Sequence, residues 1–301
     1  MTPGFAERLA GERLGGVILL ASNIGTPEEV SEFVAAIQGT NPAWPPLVAV
    51  DQEGGLVARL PGDPAPSAPE LGLLPPEAIA AWAAERAAFV AGFGFDVNFA
   101  PVADIAFGPA SFMAGRTFGA DPERVSEAVA AYVVGVVGSG VIHCAKHFPG
   151  HGRPSVDSHL ALPEVALSME EWRETDGLPF AAAIDAGVPM VMLGHLRYRA
   201  WDDLPTSISP VAVGVLRNEL GFDGVITTDD LGMAALVEYD PLTVVDLAIA
   251  AGVDQLLYVT PAVPLADLIA HLVAEVEAGR VAEERIDVSL RRLLGLRGDD
   301  D

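Results

Sequence analysis

Short runs of Val, Ile and Leu alternate along the chain with longer Ala-rich segments whose apolar residues recur at helical spacing. The runs predict seven strands, at residues 16–21, 47–51, 96–104, 141–148, 188–195, 225–229 and 253–259. The segments between them predict helices at residues 26–38, 76–92, 121–138, 168–186, 209–220 and 243–251. Continuous apolar strands that alternate with helices indicate a parallel sheet with helices on its faces.

Five of the seven predicted strands end in, or run directly into, polar residues that can do chemistry. They are Asp51-Gln52-Glu53, Asn98 with Asp104, Lys146-His147, His195, and Asp229-Asp230. Polar residues at the carboxyl ends of many strands are typical of the catalytic face of a (β/α)8 barrel. An open doubly wound sheet would concentrate them at one switch point, usually with a glycine-rich phosphate loop, and no G-x-G-x-x-G follows the early strands.

We therefore predict an α/β fold of the (β/α)8 TIM-barrel type, forming a single catalytic domain over residues 1–301. Only seven strands are counted where a closed barrel has eight. The missing strand should precede Gly16, but residues 1–14 contain no strand pattern. The first strand is thus expected to be missing or irregular.

Charge and cysteine content narrow the function classes. The formal net charge of −25 excludes a phosphate-backbone binder and argues against an anionic membrane surface. Cys144 is the sole cysteine, so no intramolecular disulfide can form. No apolar run reaches membrane-spanning length, and the N-terminus lacks the apolar core of a signal peptide. We expect a cytoplasmic monomer that binds neither nucleic acid nor membranes.

The region around the only lysine is the most motif-like part of the chain. Sixteen of the seventeen basic residues are Arg, and the exception is Lys146. A compact ammonium on a flexible stem does what a planar guanidinium does not, so a function for Lys146 competes with chance survival.

Four of the six histidines lie between positions 143 and 159. A zinc site is one interpretation, because His and Asp are common zinc ligands. However, His147 and His151 straddle a Pro-Gly turn and do not share a helical face as in H-E-x-x-H. We expect no metal and no cofactor, and His143 is interpreted as a structural residue.

A carboxylate–imidazole pair and a pair of adjacent carboxylates suggest acid/base and nucleophilic chemistry. Asp157 and His159 are two residues apart, so in an extended segment they point to the same side and can exchange a proton together. Asp229 and Asp230 end a buried strand, where the pleat sends one acid into the site and the other outward as a cap. Spacing alone leaves open that both are caps. Asp51, Arg59 and Arg116 are further candidates. Asp51 ends a strand and could accept two hydrogen bonds from a diol, whereas each Arg could equally be a surface residue, which the sequence alone favours.

Six stretches, in this order, resemble glycoside hydrolase family 3, most closely its single-domain bacterial β-N-acetylglucosaminidases of cell-wall recycling. They are VAVDQEGGLVARL, FDVNFAPVADI, GRTFGADP, KHFPGHGRPSVDSH, MVMLGHLRY and GFDGVITTDDLGM. The KHFPGHG motif followed by DSH is the most specific. Three features depart from the family pattern: the absent first strand, Leu56 at a commonly basic position, and Thr228 in place of the usual Ser.

The resemblance implies a (β/α)8 barrel and retention of configuration through a covalent glycosyl-enzyme. It assigns the nucleophile to Asp229 and the general acid/base to His159, assisted by Asp157. It assigns sugar binding to Asp51, Arg59, Arg116, Lys146 and His147, with His195 lining the cavity. The double-displacement logic is that of other retaining glycosidases, although an imidazole replaces one carboxylate.

The implied reaction is hydrolysis of terminal β-linked N-acetylglucosamine from muropeptide-derived or chitin-derived saccharides. Phosphorolysis stays open, because an imidazole would not repel phosphate as a carboxylate does. The alternatives from other classes are a metal-dependent hydrolase on the same barrel and a catalytically silent N-acetylglucosamine-binding protein.

Overall fold

The computed structural model describes residues 3–108, 111–153, 158 and 160–298. Its strands are β1 Gly16–Leu19, β2 Leu47–Val50, β3 Gln52–Gly54, β4 Val57–Ala58, β5 Val97–Asn98, β6 Ile142–Phe148, β7 Glu164–Val165, β8 Met190–Leu193, β9 Arg197–Tyr198 and β10 Val225–Thr228. Its α-helices are α1 Pro3–Glu12, α2 Pro27–Gln38, α3 Ala68–Leu71, α4 Pro76–Gly92, α5 Pro122–Val136, α6 Met169–Arg173, α7 Gly177–Asp185, α8 Pro210–Gly214, α9 Pro241–Ala251, α10 Leu265–Glu277 and α11 Glu283–Gly295.

Six strands form one parallel sheet in the order β1-β2-β5-β6-β8-β10. They correspond to six of the seven predicted strands, so the parallel α/β prediction is confirmed. The seventh predicted strand pairs with β10 through a single bridge, between Thr227 and Gln255. Residues 3–12 are helical, so in the described part of the chain no strand precedes β1. The described residues therefore form an α/β fold around a parallel sheet, and they do not show a complete, closed eight-stranded barrel.

The sheet curls around an apolar interior. One cluster takes side chains from all six strands and from the segment after β10: Ile18, Leu47, Ala49, Val97, Phe99, Ile142, Cys144, Met190, Met192, Val225 and Leu257. A flat sheet would keep its two edge strands apart, so their shared cluster shows the curvature. Cys144 lies in this interior, which places Lys146, two residues further along β6, on the same side.

The helices cover the outer face of the sheet, and capping residues mark where several of them begin. The Thr26 side chain accepts a hydrogen bond from the Glu29 amide, so α2 begins where it was predicted. The helix predicted at 168–186 is divided into α6 and α7, and Asp176 in the intervening turn is buried and accepts from Arg153 Nε at 2.7 Å. The helix predicted at 209–220 continues past α8 as a π-helical turn, Val215–Glu219.

Helix α11, together with Arg297 just past its end, contacts both edges of the sheet at the sheet's amino-terminal end. Leu293 and Leu296 pack into the interior cluster. Arg285 donates to the Val253 carbonyl oxygen at 2.6 Å, beside β10, and Arg297 donates to the Gly15 carbonyl oxygen at 3.4 Å, beside β1. The amino-terminal end of the sheet is thereby covered, and the carboxyl end is left to carry the polar residues. Among the described residues, no helix has the length and apolarity needed to cross a membrane.

Candidate active site

The polar strand ends meet at the carboxyl edge of the curled sheet. Asp51 follows β2, Lys146 and His147 lie near the end of β6, His195 follows β8, and Asp229 follows β10. The backbone of β6 is irregular here, because the Lys146–His147 peptide is cis and the register with β8 shifts between Lys146 and Phe148. Parallel strands place their carboxyl ends on one side, so these residues share one site.

Lys146 is the centre of a charged network. Its buried Nζ lies 2.6 Å from Asp51 Oδ1 and 2.7 Å from Glu53 Oε1. Arg116 contacts both Glu53 oxygens, with Nη2 at 2.7 Å and Nε at 2.9 Å. The structure thus brings together Asp51, Arg116 and Lys146, to which the family resemblance assigned sugar binding, and adds Glu53.

The charges of this network support one another. Burial alone would raise the pKa of the Glu53 carboxyl, but Lys146 and Arg116 lower it to about 2. Burial likewise disfavours the Lys146 ammonium, but Asp51 and Glu53 outweigh it and raise the pKa of Lys146. Glu53, Lys146 and Arg116 are therefore ionised at neutral pH.

Arg59 is carried by the segment that follows the β3–β4 hairpin. Its Nη2 lies 4.0 Å from Asp51 Oδ2. Hydrogen bonds to Asp63 hold this segment in place. Asp63 Oδ2 accepts from Gln52 Nε2 and from Arg86 Nε, both at 2.8 Å. Arg86 is fully buried and also donates to the Pro66 carbonyl oxygen at 2.7 Å. Arg59 thus reaches the site from a segment that these hydrogen bonds hold in place.

His147 is oriented by a buried carboxylate. Its Nδ1 lies 2.8 Å from Asp104 Oδ2, and Asp104 Oδ1 accepts from the His151 amide at 2.6 Å. Burial would raise the pKa of Asp104, but the His147 side chain lowers it, so Asp104 is a carboxylate that accepts from His147 Nδ1–H. The Nε2 atom of His147 remains for another partner. Asp104 was predicted at a strand end, but the sequence indicated no role for it.

His151 contacts the segment on which the predicted acid/base residues lie. Its Nε2 is 2.9 Å from Ser158 Oγ, and both residues are buried. Burial, helped by the nearby His147, lowers the pKa of His151 to about 4, so the ring is neutral at neutral pH. Ser158 lies between Asp157 and His159 in the sequence, and those two residues lie outside the described part of the chain.

His195 has both ring nitrogens engaged by protein groups. Nδ1 lies 2.7 Å from Ser207 Oγ, and Nε2 lies 2.9 Å from the Asp230 carbonyl oxygen. Burial lowers the pKa of His195, which favours the neutral ring. In the described structure, therefore, His195 is engaged with neighbouring residues, whereas the family resemblance gave it a place in the sugar cavity.

The two acids after β10 take different roles. Asp229 is half-buried, and its Oδ1 accepts from the Asp230 amide at 2.8 Å. Burial would raise the pKa of Asp229, but His147, the Asp230 amide and Lys146 lower it, so it is a carboxylate at neutral pH. Asp230 Oδ1 accepts from the Gly232 and Val259 amides, each at 2.9 Å. One acid faces the other site residues and the second caps the loop, which agrees with the pleat argument.

Across residues 3–108, 111–153, 158 and 160–298, no group of three or more His, Cys, Asp or Glu side chains is arranged to hold a metal ion. His143 packs edge-on against Tyr132 of α5, and its Nδ1 contacts the Val141 carbonyl oxygen at 2.8 Å. It lies on the outer side of β6, away from Lys146, as the structural interpretation predicted.

A curled parallel sheet with carboxylates, imidazoles and fixed cations at its carboxyl edge is the arrangement of a barrel-type hydrolase. The family profile described as "Glycosyl hydrolase family 3 N terminal domain" matches residues 3–296. The chain belongs to glycosyl hydrolase family 3. This confirms the predicted family and the predicted enzyme class, a glycoside hydrolase.

Relatives with assigned names are similar over most of the chain. A β-hexosaminidase of Pseudomonas aeruginosa (strain LESB58) is 38% identical over 248 residues, which are 80% of this chain and 74% of the relative. A solved family 3 β-N-acetylglucosaminidase from Paenibacillus sp. str. FPU-7 superposes with a TM-score of 0.93 at 34% identity, covering 99% of this chain but 59% of the other. A β-N-acetylhexosaminidase from Beutenbergia cavernae DSM 12333 superposes with a TM-score of 0.87 at 32% identity, covering 99% and 93% of the two chains.

Proposed function

We propose that this enzyme is a retaining exo-glycosidase that hydrolyses terminal β-linked N-acetylglucosamine. The names of the P. aeruginosa, Paenibacillus and Beutenbergia proteins support the N-acetylhexosamine specificity. The observation that carries the proposal is the Asp229 carboxylate, which is ionised at the carboxyl edge of the sheet and, among the described residues, is held through one oxygen. A nucleophile needs such a group.

Five side chains are proposed to bind the terminal sugar. Asp51, Arg59, Arg116, Lys146 and His147 surround the same edge and offer both acceptors and fixed donors. Sugar hydroxyls donate and accept, so Asp51 would accept from a diol while Lys146 Nζ and His147 Nε2 would bind hydroxyl oxygens. The charged network is held together by protein side chains alone, so little reorganisation is needed when the sugar binds.

The proposed reaction has two displacements at the anomeric carbon. In the first, Asp229 forms a bond to that carbon, the bond to the aglycone oxygen breaks, and the His159 imidazolium gives its proton to the departing oxygen. In the second, neutral His159 takes a proton from water, the water oxygen bonds to the anomeric carbon, and the bond to Asp229 breaks. Asp157 is proposed to hold His159 in the correct tautomer. Each cycle returns Asp229 as a carboxylate and His159 as an imidazolium.

The proposed natural substrates are muropeptide or chitooligosaccharide fragments with a terminal N-acetylglucosamine. Release of nitrophenol from the β-N-acetylglucosaminide and from the β-glucoside tests the specificity. We expect much faster release from the first, and equal rates would contradict the N-acetyl preference. Adding phosphate and identifying the sugar product distinguishes hydrolysis from phosphorolysis, and a chelator should leave the rate unchanged.

A further inference from the structure

The hydrogen bonds of His195 define its tautomer. The Asp230 carbonyl oxygen, 2.9 Å from Nε2, can only accept, so Nε2 must carry a hydrogen. The neutral ring then has a lone pair on Nδ1, which accepts from the Ser207 hydroxyl at 2.7 Å. All of the ring's hydrogen-bonding capacity is used, and both His195 and Ser207 are fully buried.

The Asp230 backbone connects His195 to the carboxylate of Asp229 through two hydrogen bonds. The carbonyl group of Asp230 is held by His195, and its amide donates to Asp229 Oδ1 at 2.8 Å. The Asp230 carboxylate is fixed by the amides of Gly232 and Val259. Asp230 is therefore fixed on three sides, and its amide sets the rotation of the Asp229 carboxylate.

Ser207 is itself fixed against the end of β8. It lies on a short 3-10 turn, Thr206–Ile208. The Thr206 hydroxyl donates to the Gly194 carbonyl oxygen at 2.7 Å, and the Thr206 amide donates to the Leu196 carbonyl oxygen at 2.8 Å. These bonds hold the turn against the residues on either side of His195, so the Ser207 hydroxyl has a defined direction.

We propose that Ser207 is a positioning residue for the nucleophile, acting through His195 and the Asp230 backbone. Asp229 Oδ1 is then the held oxygen, and Oδ2 is the oxygen that forms the bond to the anomeric carbon. This inference rests on the proposed function, in which Asp229 is the nucleophile. It assigns a role to a serine that the family motifs quoted above do not include, because Ser207 lies after MVMLGHLRY.

Loss of the Ser207 hydroxyl has a defined chemical consequence. Without it, the buried Nδ1 lone pair has no donor, and the ring is fixed only through its bond to the Asp230 carbonyl oxygen. The ring can then shift to find another partner for Nδ1, which weakens its hold on the Asp230 backbone, so Asp229 loses its alignment. Misplacement of a reacting group lowers kcat much more than it raises KM, since the sugar contacts lie elsewhere.

Kinetics of three serine variants test the inference. Ser207→Ala should lower kcat on the nitrophenyl β-N-acetylglucosaminide on the order of tenfold to a hundredfold, with little change in KM. Ser207→Thr, which keeps the hydroxyl, should recover most of that loss. The matched control is Ser209→Ala, because Ser209 is equally buried and its hydroxyl caps α8 by accepting from Val211 and Ala212. It should lower Tm and leave kcat unchanged.

The tautomer of His195 provides a readout that needs no activity. In 15N-histidine spectra, the resonances of His195 are those lost in His195→Gln. At neutral pH they should show the Nε2–H form in the parent protein. They should change in Ser207→Ala and stay the same in Ser209→Ala. An Nδ1–H ring or an imidazolium in the parent would overturn the inference. So would equal losses of kcat in Ser207→Ala and Ser209→Ala. If no variant or parent releases nitrophenol, the proposed function fails while the tautomer result still decides this hydrogen-bond chain.

Discussion

The Lys146 region and the Asp229 region of the site hold their charges in opposite ways. Around Lys146, two carboxylates and two cations pair directly at 2.6–2.9 Å. Asp229 instead is held by a neutral backbone amide, and among the described residues no cation forms an ion pair with it. Direct ion pairs suit a rigid surface that binds sugar hydroxyls, whereas a nucleophile must keep one oxygen free. The difference separates binding from bond formation.

Removing the free carboxylate should have the largest effect. Asp229→Ala should lower kcat on the nitrophenyl β-N-acetylglucosaminide by about 10⁴-fold or more, because no covalent intermediate can form. Asp240→Ala is a matched control, since Asp240 caps the exposed start of α9. It should leave kcat unchanged. Turnover that survives Asp229→Ala would contradict the nucleophile assignment.

The proposed acid/base histidine should matter most when the leaving group is poor. His159→Ala should lower hydrolysis of an N-acetylglucosamine disaccharide by about 10²–10⁴-fold, and hydrolysis of the nitrophenyl glycoside by less, because nitrophenolate leaves without a proton. His271→Ala, which removes a partly exposed His paired with Asp246, is the control and should leave both rates unchanged. Equal losses on the two substrates would argue against protonation of the leaving group by His159.

A change in the ion-pair network around Lys146 should alter both substrate binding and the stability of the fold. Glu53→Gln leaves Lys146 and Arg116 with one fewer anion between them, so we expect a higher KM and a loss of about 3 kcal/mol in the free energy of unfolding. Urea unfolding and steady-state kinetics measure the two effects. Glu284→Gln, in an exposed pair with Arg291, should change neither. An unchanged KM in Glu53→Gln would separate this network from sugar binding.

Acid should weaken the fold through the same carboxylate. The pKa of Glu53 is about 2 in the folded protein against 4.5 in the unfolded chain, so its stabilisation is fully present above the unfolded value. It should be lost as pH falls through that interval toward 2. The free energy of unfolding of Glu53→Gln should fall less steeply there than that of the parent. Parallel pH profiles would contradict this assignment.

The smallest effect is expected at His143, which lies outside the site. Burial lowers its pKa to about 4 from 6.5, so the unfolded chain takes up a proton first as pH falls. Stability should therefore decrease between these two values and recover as pH rises through them. His143→Phe should flatten this dependence and leave kcat and KM unchanged. A change in kcat would place His143 in the site after all.

Periodicity was sufficient to predict most of the fold. Six strands and the parallel sheet followed from apolar runs, and helix α4 begins and ends where the sequence predicted. Helices α10 and α11 were missed, although α10 has regular helical spacing of its apolar residues. The role of α11 could not be predicted, since the contact of Arg285 with Val253, and that of Arg297 just past the helix with Gly15, join distant parts of the chain.

The site was predictable where residues lie in motifs and obscure where they depend on tertiary contacts. Lys146 and Asp229 stood out at strand ends, but Glu53 and Asp104 gained roles only through partners 93 and 43 positions away, as in the pairs Lys146–Glu53 and His147–Asp104. Ser207 gave no signal in the sequence, because its importance lies in a hydrogen bond to His195.

Direct detection of the glycosyl-enzyme tests the central claim most sharply. The enzyme is mixed with excess nitrophenyl β-N-acetylglucosaminide, quenched in acid during turnover, digested and analysed by mass spectrometry. The account predicts a peptide containing GVITTDD whose mass has increased by one N-acetylhexosamine, with the sugar on Asp229 and absent in Asp229→Ala. Active enzyme that shows the sugar on another residue would contradict it.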